Sequence, residues 1–285
     1  MRAFGSSRPR TPAIGLVRAV ARRHPVAAFV ALAYLLSWAW WLPWILAGAT
    51  VRVGVGWPTH LPGLAGPALS AVVVTALADG RDGLRALGRR AVRWRVGGWW
   101  LTVVAILAAG AIASLASAGV ATADALTGYP GVAGAWGPAA TLAFVLLVNG
   151  VGEELGWRGF AVERWSKRHA LIPTALLVAL VWAPWHLPVF FLTESFQAFA
   201  AADVAGWAMG LTAGSIVLAW LYRGSGGSVL LVSAWHTAFN LTSATPAASG
   251  AVAAASSTVV MVAALAIVVV EVRRRRRRRR HHAGL

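Results

Sequence analysis

Leu171-Ile-Pro-Thr-Ala-Leu-Leu-Val-Ala-Leu-Val-Trp-Ala-Pro-Trp-His-Leu-Pro-Val-Phe-Phe-Leu192 contains no carboxylate, lysine or arginine from end to end. A helix rises ~1.5 Å per residue and a bilayer's hydrocarbon core is ~30 Å thick, so this run is long enough to cross a membrane. Similar runs recur at Val26–Ala49, Leu61–Ala78, Val96–Val120, Trp136–Gly152, Ala202–Tyr222, Ser228–Ser243 and Ala251–Val270. The fourth and seventh in chain order, Trp136–Gly152 and Ser228–Ser243, are short and carry polar residues, which suits tilted, distorted or re-entrant helices. Of the 285 residues, 58% are hydrophobic and only 12% charged, too few charges to cover a soluble fold of this size. The expected class is all-α, a polytopic membrane bundle of about eight transmembrane helices.

A net charge of +17 would point to nucleic acid in a soluble chain, but here the placement of the basic residues matters more. The arm before the first run, the Asp79–Arg95 connection, the stretch Arg158–His169, Arg223 and the run Arg273 to Arg280 together hold 25 of the 26 Lys and Arg residues. These segments fall on alternate connections, and Arg52 alone lies on the other side. The positive-inside rule then puts both termini in the cytoplasm and requires an even number of spans. The expected organisation is a basic arm (1–25), one membrane domain (26–272) and an Arg-rich tail (273–285). The terminal arginines read as a stop-transfer anchor drawn to anionic lipid headgroups. Without interleaved aromatics or a folded module they do not read as a nucleic-acid contact. There is no cysteine, which excludes disulfides and thiolate chemistry. The first apolar run is too long for a signal-peptide core and reads as a retained helix. The Gly-, Pro- and Ala-rich connections Thr50–His60 and Ala121–Ala135 read as short solvated turns. Tryptophans near span ends fit interfacial belts.

Three polar constellations interrupt the apolar pattern. Glu153 and Glu154 stand side by side just after Ala139–Val151, in a chain with only nine acidic residues. If Gly152–Phe160 continues as helix, Glu154 and Arg158 pair at i, i+4 while Glu153 points about 100° away. Arg158 would hold Glu154 in place and leave Glu153 to take a proton from water. A charge-balanced helix end at the interface would use the same residues. His186 lies between Pro184 and Pro188 in the opening run, where each proline removes a backbone donor and forces a local break. Broken helices are tolerated in membranes where protein or a wet cavity absorbs them, although a buried histidine can also be a packing residue. His236 and Asn240 share one face of a helix at i, i+4, which suits a metal ligand pair, an oxyanion site or a bond to a neighbouring helix. The other five histidines all fall in connections or tails.

Taken in order, these residues resemble the CPBP family, which includes the type II CAAX prenyl endopeptidases. Its Glu-Glu-x-x-x-Arg motif is matched by Glu153-Glu154-Leu-Gly-Trp-Arg158. Its aromatic-x-x-x-His motif is matched by Trp182-Ala-Pro-Trp-His186, with Trp where Phe is commonest, and its His-x-x-x-Asn motif by His236-Thr-Ala-Phe-Asn240. The resemblance covers about 136–243. It implies an intramembrane endopeptidase of a bacterial cell membrane with a cavity open to the cytoplasm and a membrane-associated peptide or protein as substrate. Glu153 and His186 would activate water, His236 and Asn240 would stabilise the oxyanion, and Glu154 with Arg158 would support them. The family is also described as metalloproteases, making Glu153, His186 and His236 possible zinc ligands. There is no His-Glu-x-x-His helix, and this donor set is less typical of zinc than His- or Cys-rich shells, so the metal-free scheme is preferred and the cofactor is none or zinc. The alternative reading is a non-catalytic scaffold or immunity-type factor of the same fold. A proton-relay transporter is disfavoured because no inverted repeat is evident. One mismatch follows from counting residues. From a cytoplasmic start at Leu171, His186 falls past mid-membrane, whereas Glu153 falls near the cytoplasmic side.

Overall fold

The computed structural model describes residues 12–116, 128–243, 245 and 250–283. Arg2, Arg8, Arg10 and residues 121–127 of the Ala121–Ala135 connection lie outside them. Among the described residues ten principal helices follow in order: α1 Pro12–Arg23, α2 Pro25–Leu46, α3 Leu61–Ala78, α4 Gly80–Ala91, α5 Leu101–Ala116, α6 Gly134–Trp165, α7 Leu171–Trp185, α8 Ala201–Gly224, α9 Val229–Leu241 and α10 Ala251–Ala283. Two one-turn helices, Val189–Leu192 and Glu194–Gln197, link α7 to α8. Among the described residues there is no β-strand.

Among the described residues six segments are long and apolar enough to cross a membrane: α2, α3, α6, Leu171–Leu192, α8 and Val252–Arg277 within α10. Two shorter apolar helices, Gly97–Ala113 and Val229–Leu241, occupy the third and seventh runs. The chain is a multi-pass, all-α membrane protein. The largest departure from the sequence reading concerns the fourth run. Expected to end at Gly152, it continues as one helix to Trp165, so the acidic pair lies inside a span rather than at its end.

Glycine explains how α6 reaches the centre of the bundle. A Cβ on Gly156 would lie 2.7 Å from the backbone of Pro67 in α3, and one on Gly152 would lie 2.9 Å from the Leu64 carbonyl. On another side, a Cβ on Gly150 would lie 2.9 Å from the Ser233 carbonyl of α9. In lipid, where apolar burial drives little association, such close backbone approach is what holds helices together. α6 is therefore wedged between α3 and α9 with Glu153 and Glu154 at the point of closest packing. Two π-helical stretches, Leu146–Val151 and Trp157–Val162, bracket the acidic pair, the wide-turn distortion that recurs at functional sites.

The connections are more ordered than solvated turns would be. Val51 N–H donates to the Leu192 carbonyl at 2.8 Å, Glu194 N–H to Val51 at 3.1 Å, and Gly131 N–H to Arg52 at 3.0 Å. Residues 51–54, 129–134 and 192–194 thus pair as a clasp of three loop segments, with isolated bridges Val51 to Thr193 and Val53 to Pro130. The reading of Thr50–His60 as a simple turn is corrected on this point: the Val51 N–H and the Val51, Arg52 and Gly54 carbonyls bond to other loops.

Candidate active site

The two carboxylates of α6 divide between two neighbouring helices. Glu154 is fully buried and accepts from Arg158 Nη1 at 2.8 Å. The same oxygen meets His236 Nδ1 of α9 at 2.8 Å. Arg158, also fully buried, lies with its guanidinium 4.3 Å from the centroid of the Trp182 ring, so a π face covers a charge that water cannot reach. Glu153 turns instead to α7. Its Oε2 accepts from the Trp182 indole N–H at 2.7 Å and stands 4.0 Å from His186 Nε2.

Local sequence sets the orientation of His186. Past Trp185 the hydrogen-bond ladder tightens to three-residue steps, His186 N–H to Ala183 at 3.1 Å and Val189 N–H to His186 at 2.8 Å, because prolines 184 and 188 cannot donate. The tightening strips the Trp182 and Trp185 carbonyls of their ordinary helical donors. Trp38 Nε1 takes the Trp185 carbonyl at 3.0 Å, and the ring of His186 itself takes the Trp182 carbonyl through Nδ1 at 2.8 Å. A carbonyl only accepts, so Nδ1 carries the proton and Nε2 presents a lone pair towards Glu153. The separation of 4.0 Å exceeds a hydrogen bond and suits two groups that share one water through bonds of ~2.8 Å.

His236 and Asn240 are brought beside this pair, but not as two free donors. His236 commits Nδ1 to Glu154, and its ring meets Trp182 edge-on at 5.6 Å. Asn240 donates to Asn149 Oδ1 at 3.0 Å, and Asn149 in turn donates to the Tyr129 hydroxyl at 2.9 Å. Burial and the nearby Glu153 charge hold the Tyr129 phenol above its ordinary range, so it stays protonated. Asn149 and Tyr129 were missed by the sequence reading. A lone carboxamide in an apolar run, four residues before Glu153, was a usable signal for Asn149. Tyr129 gave none.

The possible zinc set does not form. Glu153 and His186 approach each other, but His236 is turned to Glu154, and among the described residues no group of three or more His, Asp or Glu side chains converges as a metal site. These donors do not fit a three-ligand zinc shell.

All of these side chains fall inside one stretch of the chain except Trp38 and Tyr129, and that stretch has relatives. Residues 135–242 match the family of Rce1-like, type II CAAX prenyl endopeptidases. The Rce1-like stretch contains all three motifs that carried the resemblance. The chain is also similar to "CAAX prenyl protease 2" of Methanococcus maripaludis, 28% identical over 103 residues, 34% of this chain. The matched part is 38% of that relative's length.

Proposed function

We propose that this chain is an intramembrane endopeptidase that hydrolyses a peptide bond in a membrane-associated peptide or protein by Glu153- and His186-activated water. The observation that carries the reading is the pairing of Glu153 Oε2 with the lone-pair nitrogen of His186 at 4.0 Å in a buried site. As the water oxygen attacks the carbonyl carbon, Glu153 takes its proton and the carbonyl π pair moves to oxygen. When the C–N bond breaks, that proton passes to the leaving nitrogen. His186 orients the water through its second hydrogen. His236 and Asn240 stabilise the oxyanion, Asn240 with the amide hydrogen held only by its long 3.4 Å contact to the Tyr129 hydroxyl. Trp182 fixes the Glu153 carboxylate, and Glu154 with Arg158 fixes His236.

The Rce1-like match supports a protease in a membrane, while the water-activation chemistry is inferred from the geometry. We place the catalytic core at about 136–243 in the domain 26–272, both termini in the cytoplasm of a bacterial cell, and the Arg-rich tail on anionic lipid headgroups. A specific observation in favour of the non-catalytic scaffold would be a lost motif residue, and none is lost. The test is comparative mass spectrometry of membrane peptides from cells carrying wild type, Glu153→Ala or His236→Ala at matched expression. One or a few peptides should persist uncut in both variants. Identical profiles in all three would overturn the reading.

A further inference from the structure

Tyr129 belongs to none of the three motifs, yet it reaches the centre of the site. Only 4% of it is exposed. Its loop closes on itself through Val132 N–H on the Tyr129 carbonyl at 3.1 Å and is tied to the 51–54 segment by Gly131 N–H on Arg52 and the bridge of Pro130 to Val53. The phenol therefore enters between α6 and α9 from a fixed backbone. Its oxygen accepts from Asn149 Nδ2 at 2.9 Å, and Asn240 Nδ2 lies 3.4 Å away, with Asn240 also donating to Asn149 Oδ1.

Counting donors and acceptors leaves one hydrogen over. The oxygen's acceptor capacity is used by the two carboxamides, and among the described residues no acceptor takes the hydroxyl hydrogen. Asn149 stands one turn before Glu153 and Asn240 one turn after His236. The hydroxyl thus lies about one helical turn, ~6 Å, from the level of the water-activating pair. The Glu153 charge is close enough to act on it, and together with burial keeps the phenol protonated.

We infer that the Tyr129 hydroxyl is a further catalytic hydrogen-bond donor to the oxygen of the scissile carbonyl, with Asn149 as the residue that positions it. This rests on the endopeptidase reading above. No proton leaves Tyr129: it donates a hydrogen bond while negative charge develops on the carbonyl oxygen, whose lone pair re-forms the C=O bond as the C–N pair leaves with the nitrogen. A donor aimed at developing charge in a water-poor site contributes about 10²–10³-fold to turnover.

The test uses the full chain purified in detergent, with solubilised membrane protein from a host strain lacking the gene as substrate pool and new peptide C-termini counted by mass spectrometry. Kinetics are then measured on the peptide cut fastest. Tyr129→Phe should lower kcat about 100-fold, with KM within about twofold. Unchanged kcat, or a loss confined to KM, would overturn the inference and leave Tyr129 as a loop tether. Should Tyr129→Phe melt well below wild type, 3-fluorotyrosine at position 129 replaces it. That residue is a stronger donor in nearly the same volume, and the inference requires an altered kcat whereas a tether leaves kcat unchanged. Glu153→Gln runs in parallel. If Glu153→Gln cuts as fast as wild type, or if wild type cuts nothing, the endopeptidase reading falls and this inference with it. If Glu153→Gln is inactive while Tyr129→Phe is as fast as wild type, only this inference falls.

Discussion

Replacing Arg158 with methionine isolates the energetics of the buried charges. Arg158 and Glu154 are both fully buried and bonded at 2.8 Å. The variant leaves the Glu154 carboxylate with His236 as its remaining side-chain partner and removes the guanidinium that covers one face of Trp182. Breaking a buried pair by deleting one member costs about 3–5 kcal/mol, because the surviving charge stays desolvated. At roughly 2 °C per kcal/mol for a chain of this length, the melting temperature should fall by roughly 6–10 °C. The double variant Glu154→Gln with Arg158→Met removes both charges and keeps a neutral partner for His236, so it should recover at least half of that loss. Tryptophan fluorescence during thermal unfolding in detergent measures both. A single variant that melts within about 2 °C of wild type would refute the reasoning. So would a double variant that melts as low as the single one, since the cost would then not come from an unpaired charge.

Three further outcomes follow from named contacts. Gly156→Ala should destabilise by about 1–3 kcal/mol through overpacking, because its Cβ would press on the backbone of Pro67. Gly210→Ala, where nothing lies within 4 Å, should be neutral or stabilising by up to about 1 kcal/mol, and thermal unfolding compares the two. Trp182→Phe keeps an aromatic ring against Arg158 and His236 but deletes the donor to Glu153. Turnover should fall by about tenfold or more, as for a lost hydrogen bond worth about 1.5–3 kcal/mol, and unchanged turnover would remove Trp182 from the mechanism. The chain has no cysteine, so single cysteines report topology cleanly. In intact cells Arg52→Cys should react with a membrane-impermeant maleimide and Arg93→Cys should not, and the reverse pattern would invert the orientation.

Hydropathy found the apolar runs because lipid exposure demands them, and the i, i+4 spacing of Glu154 and Arg158 gave their pairing. The length of α6 escaped it for a physical reason. Arg158, Glu163 and Arg164 look like loop residues when each charge is counted alone. In the fold, Arg158 is met by Glu154, Glu163 by Arg90 and the Tyr222 hydroxyl, and Arg164 by Asp79 and the ring of Phe160. For Glu163 and Arg164 the partners Arg90, Tyr222 and Asp79 come from elsewhere in the chain, and no local pattern encodes them. The depth mismatch between Glu153 and His186 came from the same error. With the helix ending at Trp165, Glu153 lies ~18 Å from that end, and His186 lies ~22 Å from Leu171, so the two residues meet at one level. Asn240 was legible as a polar residue on the His236 face. Its tie to Asn149 and Tyr129 was not, because those contacts span 91 and 111 residues and depend on a loop clasp with no periodic signature.

Hydrolysis in ¹⁸O-water tests most directly whether Glu153 and His186 act together on one water molecule. Solubilised host membrane protein is incubated with the purified chain, and new peptide C-termini are read by mass. Wild type should generate new carboxyl termini bearing ¹⁸O, and Glu153→Gln and His186→Ala should each generate none above background. Labelled termini formed equally well by either variant would contradict water activation by this pair.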